Sequence, residues 1–329
     1  MNVFVSDVEH FQSLLAGFES LDNDMNAKDG DACYARTCLS LNGVSFNQYA
    51  GNEGFVQTIK EGAVKFYEMI KSWLKSIKEF FFGAAGAKQD QQVAKVVKAA
   101  NELPAKINKQ LSSLTPEEQE KVTAKLKERI AKLDPEQVVH TVGLRKMNDD
   151  YLVDQNGLMK DIKATAEKIK ADFPDFSSDL NKIKTQYEAV GKLVGKKVEA
   201  DVKDLEQAGV LCYKIADLRS SFKALQAKIV PALDKSNEQT KKFAENKEGN
   251  DQDYRYSKKV SNYLANFSSH VANCIKSSNK TIGKMAEIFE SVSLAVLSED
   301  MNAFSKIKDS SEKDGFLTSV EAVDKFMTE

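Results

Sequence analysis

From Leu180 to Ile229 the apolar residues Leu180, Ile183, Tyr187, Val190, Val194, Val198, Val202, Leu205, Ala208, Cys212, Ile215, Leu218, Phe222, Leu225 and Ile229 follow one another at steps of three or four. A strand puts alternate residues on one face, whereas steps of three and four fall on one side of an α-helix. The series therefore predicts a helix, and a single helix through all of it would be about 75 Å long at roughly 1.5 Å per residue. A second series runs through Val260, Leu264, Phe267, Val271, Cys274, Ser278, Ile282, Met285, Phe289, Val292 and Val296, with successive four-residue steps around Ser278 that locally unwind a heptad supercoil. An apolar stripe on a helix needs a partner helix to cover it. Two stripes of similar length predict an antiparallel hairpin of 178–230 with 255–297, turning in the polar stretch 246–253 (NKEGNDQD), with Pro231 as a candidate kink.

The same spacing appears earlier in the chain. Phe4, Val8, Phe11, Leu15, Phe18 and Leu21 mark a short amphipathic helix. Residues 22–54 are rich in Asp, Asn, Gly and Ser and read as a loop-rich stretch, with a short strand or turn near Leu39 to Phe46. From Phe55 the sequence GFVQTIKEGAVKFYEMIKSWLKSIKEFFFG places Ile59, Ala63, Phe66, Ile70, Trp73, Ile77 and Phe80 at alternating steps of four and three, a heptad seam. Gly83 and Gly86 then offer helix ends in the left-handed region. Thr115-Pro116-Glu117-Glu118 is a capping box with proline in the first turn, and Asp134-Pro135-Glu136-Gln137 repeats the arrangement, so shorter helices in a hairpin or zigzag are expected there. Only five prolines interrupt the chain, and no internal repeat of fixed length supports a solenoid.

These elements predict an all-α fold, an elongated bundle of long amphipathic, partly coiled-coil helices. The expected organisation is an acidic helix with a loop-rich leader over 1–53, a basic amphipathic helix and short capped helices over 54–175, and a long helical hairpin or bundle over 176–329. The charge is unevenly spread. Residues 1–53 carry eight acids against Lys28 and Arg36, whereas 54–132 carry fifteen bases against nine acids, although the whole chain has a net charge of only −2. That near-neutral balance argues against a surface devoted entirely to nucleic acid.

Catalytic and metal chemistry finds little support. His10, His140 and His270 are scattered over different predicted helices, and none stands in a nucleophile–base motif. Cys33 and Cys38 form C-x4-C, but a structural zinc site needs four ligands and no second Cys/His pair lies nearby, so free thiols are expected. Asp22, Asp24 and Asn26 imitate the start of a calcium loop, yet Ala27 stands at the glycine position and Cys33 at the glutamate position. No glycine-rich phosphate loop is present. We therefore expect no catalytic, cofactor-binding or metal-binding residues, no cofactor and no small-molecule substrate.

Four cysteines in no dense framework fit a reducing compartment. The start MNVFVSDVEHF carries acids where a secretory signal carries bases, so secretion by a signal peptide is not expected. The apolar run Phe80 to Ala87 is far short of the roughly 20 residues that span a bilayer.

One helix stands out. Residues 55–82 combine Phe55, Phe66, Trp73, Phe80, Phe81 and Phe82 with Lys60, Lys65, Lys71, Lys75 and Lys78. Such a helix lies in a membrane interface or buries its seam against partner helices, and the seam Phe55, Ile59, Phe66, Ile70, Trp73, Ile77 and Phe80 is the candidate partner-facing or membrane-facing surface. Glu61, Glu68 and Glu79 dilute the charge to +2, which favours burial in protein.

An acidic leader followed by NEGFVQTIKEGAVKFYEMIKSWLKSIKEFFFG resembles virion-associated, internal head or structural proteins of large tailed bacteriophages over residues 52–83. The resemblance implies a noncatalytic protein packed in or on the capsid, trimmed by a maturation protease, acting through helix-mediated assembly in the virion or host cytoplasm. Its partners would be other protein subunits or further copies of itself, with a membrane surface and packaged DNA, met through basic residues 54–132, as additional partners. Two other classes stay open: a membrane-active helical protein resembling α-pore-forming toxins, and an enzyme whose site comes from residues distant in sequence.

Overall fold

The computed structural model describes residues 3–24, 27–44, 52–130, 151–152, 157–194, 202–246 and 251–296. The fold is all-α, with no strand among the described residues. In chain order the helices are α1 (Val3–Asn23), α2 (Gly30–Leu41), α3 (Asn52–Phe82), α4 (Ala84–Ser112), α5 (Pro116–Ile130), α6 (Leu158–Lys168), α7 (Ser177–Val194), α8 (Val202–Glu245) and α9 (Asp251–Val296). The chain divides into two compact units that are not successive blocks of sequence. One comprises Met1–Lys78, Asp154–Asp175 and Leu225–Ala272, and the other Glu79–Val153, Phe176–Ala224 and Asn273–Glu329.

In the first unit, α8 and α9 run antiparallel, as their partners show. Gln226 on α8 donates through Nε2 to Ser268 Oγ at 2.7 Å, and fourteen residues on, Thr240 Oγ1 meets Ser257 Oγ at 2.6 Å. As the residue number rises on α8 it falls on α9, the pairing anticipated for the two long stripes. α3 is antiparallel to α8 in the same way: Lys241 lies 3.3 Å from Glu68, Glu238 3.4 Å from Lys71, and Asp234 3.1 Å from Lys78. Asn237 donates its Nδ2 to the Tyr67 carbonyl at 2.8 Å. α6 joins through Lys259 with Asp161 at 2.7 Å and Lys168 over the Tyr256 ring at 5.1 Å.

In the second unit, α4 runs antiparallel to α8. Asp90 pairs with Arg219 and Lys223, whereas the carbonyl of Ala100, farther along α4, would lie 3.2 Å from a Cβ at Gly209, farther back on α8. Phe222, Phe289, Met285 and Ile183 are fully buried in this unit. The predicted capping box is present at the start of α5, where the Glu118 carboxylate accepts from the Thr115 amide at 3.0 Å and its hydroxyl at 2.7 Å. Those two hydrogen bonds hold the Glu118 carboxyl below its ordinary pKa. The second proline motif, Asp134 to Gln137, lies outside the described residues.

Three sequence expectations need correction. Residues 30–41, read as loop with a strand or turn near Leu39 to Phe46, form helix α2; the part from residue 45 lies outside the described residues. Asp29 caps α2 by accepting from the Ala32 amide at 2.8 Å. α2 then packs on α1 through small residues rather than a stripe, because a Cβ on Gly17 would sit 1.9 Å from the Asp31 carbonyl oxygen and 2.8 Å from Ala35 Cβ. Secondly, Gly83 does not end α3 in the left-handed region: its φ is −81° and ψ −168°, and it caps α4. Glycine is needed there for closeness, since a Cβ would lie 2.4 Å from the Glu79 carbonyl oxygen. Thirdly, the apolar series from Leu180 to Ile229 divides between α7 and α8, with 195–201 outside the described residues, and α8 continues through Pro231 to Glu245. A proline ring removes one hydrogen bond of the helix but does not remove the apolar stripe, so packing carries the helix past it.

The close approach of α1 and α2 sets a test by glycine substitution. Gly17→Ala is expected to lose about 1–3 kcal/mol through overpacking, whereas Gly191→Ala on α7, where a Cβ meets nothing within 4 Å, is expected to gain about 0.5–1 kcal/mol. Urea unfolding followed by circular dichroism measures both; a Gly17→Ala protein as stable as the parent would show that α1 and α2 do not touch as described.

Candidate functional site

The seam of α3 is the one surface singled out from sequence for a partner or a bilayer. The helix forms because its apolar residues recur on one side while Lys and Glu fill the rest, and long unbranched side chains suit a helix interior. Phe66, Ile70 and Ile77 are fully buried in the first unit and Phe80 in the second, while Trp73 is half-buried. Phe55 and Ile59 lie on α3, with their side chains outside the described residues. Tyr67 and Leu74, which a two-per-heptad seam omits, are also 1% exposed. The buried arc is thus broader than the predicted seam, as expected of a helix covered from more than one side.

α1 supplies one side of that cover. Phe18 stacks on Phe66 with ring centroids 4.0 Å apart and planes 7° from parallel, and Phe11 stacks on Trp73 at 3.8 Å and 6°. Lys258 of α9 stands 4.9 Å from the Phe18 ring centroid. α8 supplies the second side through the ion pairs already described. Glu68 is shared by Lys65 at 3.1 Å and Lys241 at 3.3 Å, and the hydrogen bond from Lys65, opposed by slight desolvation and aided by Lys241, lowers its carboxyl pKa. These groups are largely exposed, so each pair contributes only about 0–1 kcal/mol. Each fully buried aromatic or aliphatic side chain contributes about 1.5–3 kcal/mol. Apolar burial therefore holds α3, and the lysines orient it.

The thiols fall into two classes. Cys33 is exposed, with its Sγ 3.7 Å from the Lys28 carbonyl oxygen; Cys38 is partly covered, and burial raises its pKa. Cys212 and Cys274 are buried, and desolvation pushes both up to about 12. His10 meets the edge of Tyr34 at 5.1 Å, and His270 has interactions of its own, whereas His140 lies outside the described residues. No group of His, Cys, Asp and Glu that could hold a metal occurs among the described residues, and no described helix is long and apolar enough to cross a membrane.

One constellation escaped the sequence reading. Arg219 is buried beside the apolar stripe of α8 and pairs with Asp90 of α4 at 2.7 Å, while Lys223, one turn on, reaches the other oxygen of Asp90 at 2.6 Å. Arg219 Nε also donates to Asn279 Oδ1 of α9, whose amide donates to Gln89 at 3.2 Å. The available signal was an arginine next to stripe residue Leu218, together with Asp90 as the one acid between Glu79 and Glu102. No protein-family model, curated protein or solved structure matches this chain.

Two measurements follow from this geometry. Phe66→Ala is expected to cost about 3–5 kcal/mol, and Trp73→Ala, at a half-buried position, clearly less; a larger loss at Trp73 would invert the described burial. A thiol-specific disulfide reagent near neutral pH is expected to label Cys33 fastest and Cys38 more slowly, because the thiolate is the reactive form. Cys212 and Cys274 are expected to react only on unfolding, and labelling of all four thiols at one rate in the folded protein would contradict their burial.

Proposed function

We propose that this chain is a noncatalytic structural protein that acts through helix-mediated packing, and that it serves as a virion or internal head component of a tailed bacteriophage. The observation that carries the packing part is the state of α3, whose Phe66, Tyr67, Ile70, Leu74 and Ile77 are buried in protein, while Lys71 and Lys78 pair with acids of α8. An amphipathic helix that inserts in a bilayer needs its apolar face free, and here the strongest part of that face is already covered. The phage setting rests on the likeness of residues 52–83 to internal head proteins. Its location would be the virion and, before assembly, the host cytoplasm. Its partners would be capsid subunits or further copies of the chain, with packaged DNA meeting the lysines of 54–132. Several of those lysines are engaged within the protein, as Lys98 and Lys106 are with Glu102 at 3.9 and 3.6 Å, which leaves a reduced charge for DNA.

Mass spectrometry of purified particles tests the setting: many copies per particle are expected, and absence from particles would reject it. Flotation with anionic liposomes tests the mode of action. The intact protein is expected to stay with the unbound fraction, as is Trp73→Ala. Flotation of the parent that is lost in Trp73→Ala would replace the packing reading with a membrane-active one.

A further inference from the structure

Helix α4 presents two unlike faces. Val96, Ala100, Leu103 and Ile107 fall on one side of it and are buried. α8 lies against that side, where the Ala100 carbonyl oxygen would be 3.2 Å from a Cβ at Gly209. Asp90 is likewise engaged by α8, through Arg219 and Lys223. Lys95, Lys98, Lys106 and Lys109 fall away from the buried side, within an arc of roughly 80° along about 21 Å of helix. All four are exposed. Glu102 is the one acid in their row, and Lys98 and Lys106 share it at 3.9 and 3.6 Å. Exposed pairs of that length hold a lysine by no more than about 1 kcal/mol. Lys95 with Lys98, and Lys106 with Lys109, are like-charge neighbours three residues apart, each pair unfavourable by about 0.2–0.5 kcal/mol. The row therefore gains nothing for the fold by standing in water, and a polyanion laid along it would relieve the repulsion.

We propose that this face of α4 binds the phosphate backbone of double-stranded DNA without reading its sequence. The inference rests on the reading above for DNA as the occupant, and it narrows the contact from residues 54–132 to one face of one helix. The other basic helices are less suited: Lys65, Lys71 and Lys78 of α3 have carboxylate partners, and α5 interleaves its lysines with Glu117, Glu118, Glu120 and Glu128. Lysine ammonium groups meet phosphates as point charges, which positions a duplex but carries no sequence information. α4 contains no arginine and no aromatic residue. Single strands are held largely by stacking on aromatic side chains, and a bilayer interface by inserted apolar ones. This face offers neither, whereas a duplex backbone needs only the cations.

The test titrates the full-length protein onto a labelled duplex of mixed sequence from low to physiological salt. Log Kobs against log salt is expected to fall with a slope of about −3, from four lysines less Glu102. Lys95→Gln/Lys109→Gln is expected to reduce that slope by about 2 and to weaken binding at least about tenfold at low salt. Lys160→Gln/Lys163→Gln, the same change of charge at exposed lysines of α6, is expected to alter neither. Glu102→Gln is expected to steepen the slope by about 1, a gain that no loss of folding imitates. Equal weakening by the two double variants would reduce the contact to net charge and overturn the proposal, as would a parent that leaves the duplex unbound at low salt. Flotation of the parent with phosphatidylglycerol vesicles that is lost in Lys95→Gln/Lys109→Gln, without duplex binding, would assign the face to a membrane instead. Mass spectrometry of particles reads the phage setting separately. A chain present in particles whose slope is unchanged in Lys95→Gln/Lys109→Gln rejects this face alone, whereas the expected slopes from a chain absent from particles reject the setting and keep the face.

Discussion

The antiparallel register of α8 against α9 governs the first unit, because the other helices there are placed by what those two present. An apolar stripe alone leaves such a register loosely defined, since sliding by one turn swaps one aliphatic side chain for another of similar size. Here the buried side chains include hydrogen-bonded polar pairs, Gln226 with Ser268 and Thr240 with Ser257. A one-turn slip would break both pairs and strand buried polar groups, each at about 1–3 kcal/mol. Neutral pairs of this kind add little to total stability, but they separate the correct register from its neighbours by several kcal/mol. α6 is then seated by Lys259, which reaches Asp161, and by the Gln239 amide, which donates to the Ile169 carbonyl at 3.0 Å.

α3 is fitted onto that frame by a division of labour between its two kinds of side chain. Its aromatic and aliphatic residues contribute most of the free energy, while the lysine–carboxylate pairs to Asp234, Glu238 and Glu68 fix direction. Opposite charges at matched spacings on two antiparallel helices meet in one alignment only. The stacking of Phe11 and Phe18 on Trp73 and Phe66 repeats this logic with flat faces, because α1 must lie antiparallel to α3 for both stacks to form. The contact described between α1 and α3 is thus aromatic.

The long helices were legible because three- and four-residue spacing is a direct image of helix geometry, and a partner of matching length follows from the need to cover a stripe. α2 was not legible. Its GDACYARTCLSL segment has the composition of a loop, and it is helical because Asp29 caps it and because Gly17, Ala32 and Ala35 let two backbones come close. Small residues leave no hydrophobic period to detect. Trp73 illustrates the opposite error: heptad position gave it the same weight as Phe66, but burial depends on where the neighbouring helices stand, and they cover the side of Tyr67 and Leu74 more completely. Gly83 was recognised as a break for the wrong reason, since spacing reveals a glycine but not whether φ or proximity requires it. Of the candidate seam, Phe66, Ile70, Ile77 and Phe80 are buried as heptad spacing suggests and Tyr67 and Leu74 were missed, whereas the Arg219 cluster left no periodic signal, because Asp90 and Arg219 are 129 residues apart.

Two kinds of buried polar contact differ in what they depend on. Gln226 with Ser268 and Thr240 with Ser257 are neutral pairs in the first unit, so replacing both members of either pair with apolar residues of like shape would change stability little. In the second, a guanidinium and an ammonium converge on Asp90, whose side chain is 46% exposed. The ions are not equivalent there. Asp90 keeps contact with water and carries a small desolvation cost, whereas Arg219 is nearly enclosed and depends on its partners for most of the solvation it has lost. Removing Asp90 would therefore strand two cations, while removing Arg219 would leave a half-solvated carboxylate still paired with Lys223. The dependence is asymmetric, and it makes Asp90 the residue on which the charged junction of α4, α8 and α9 rests.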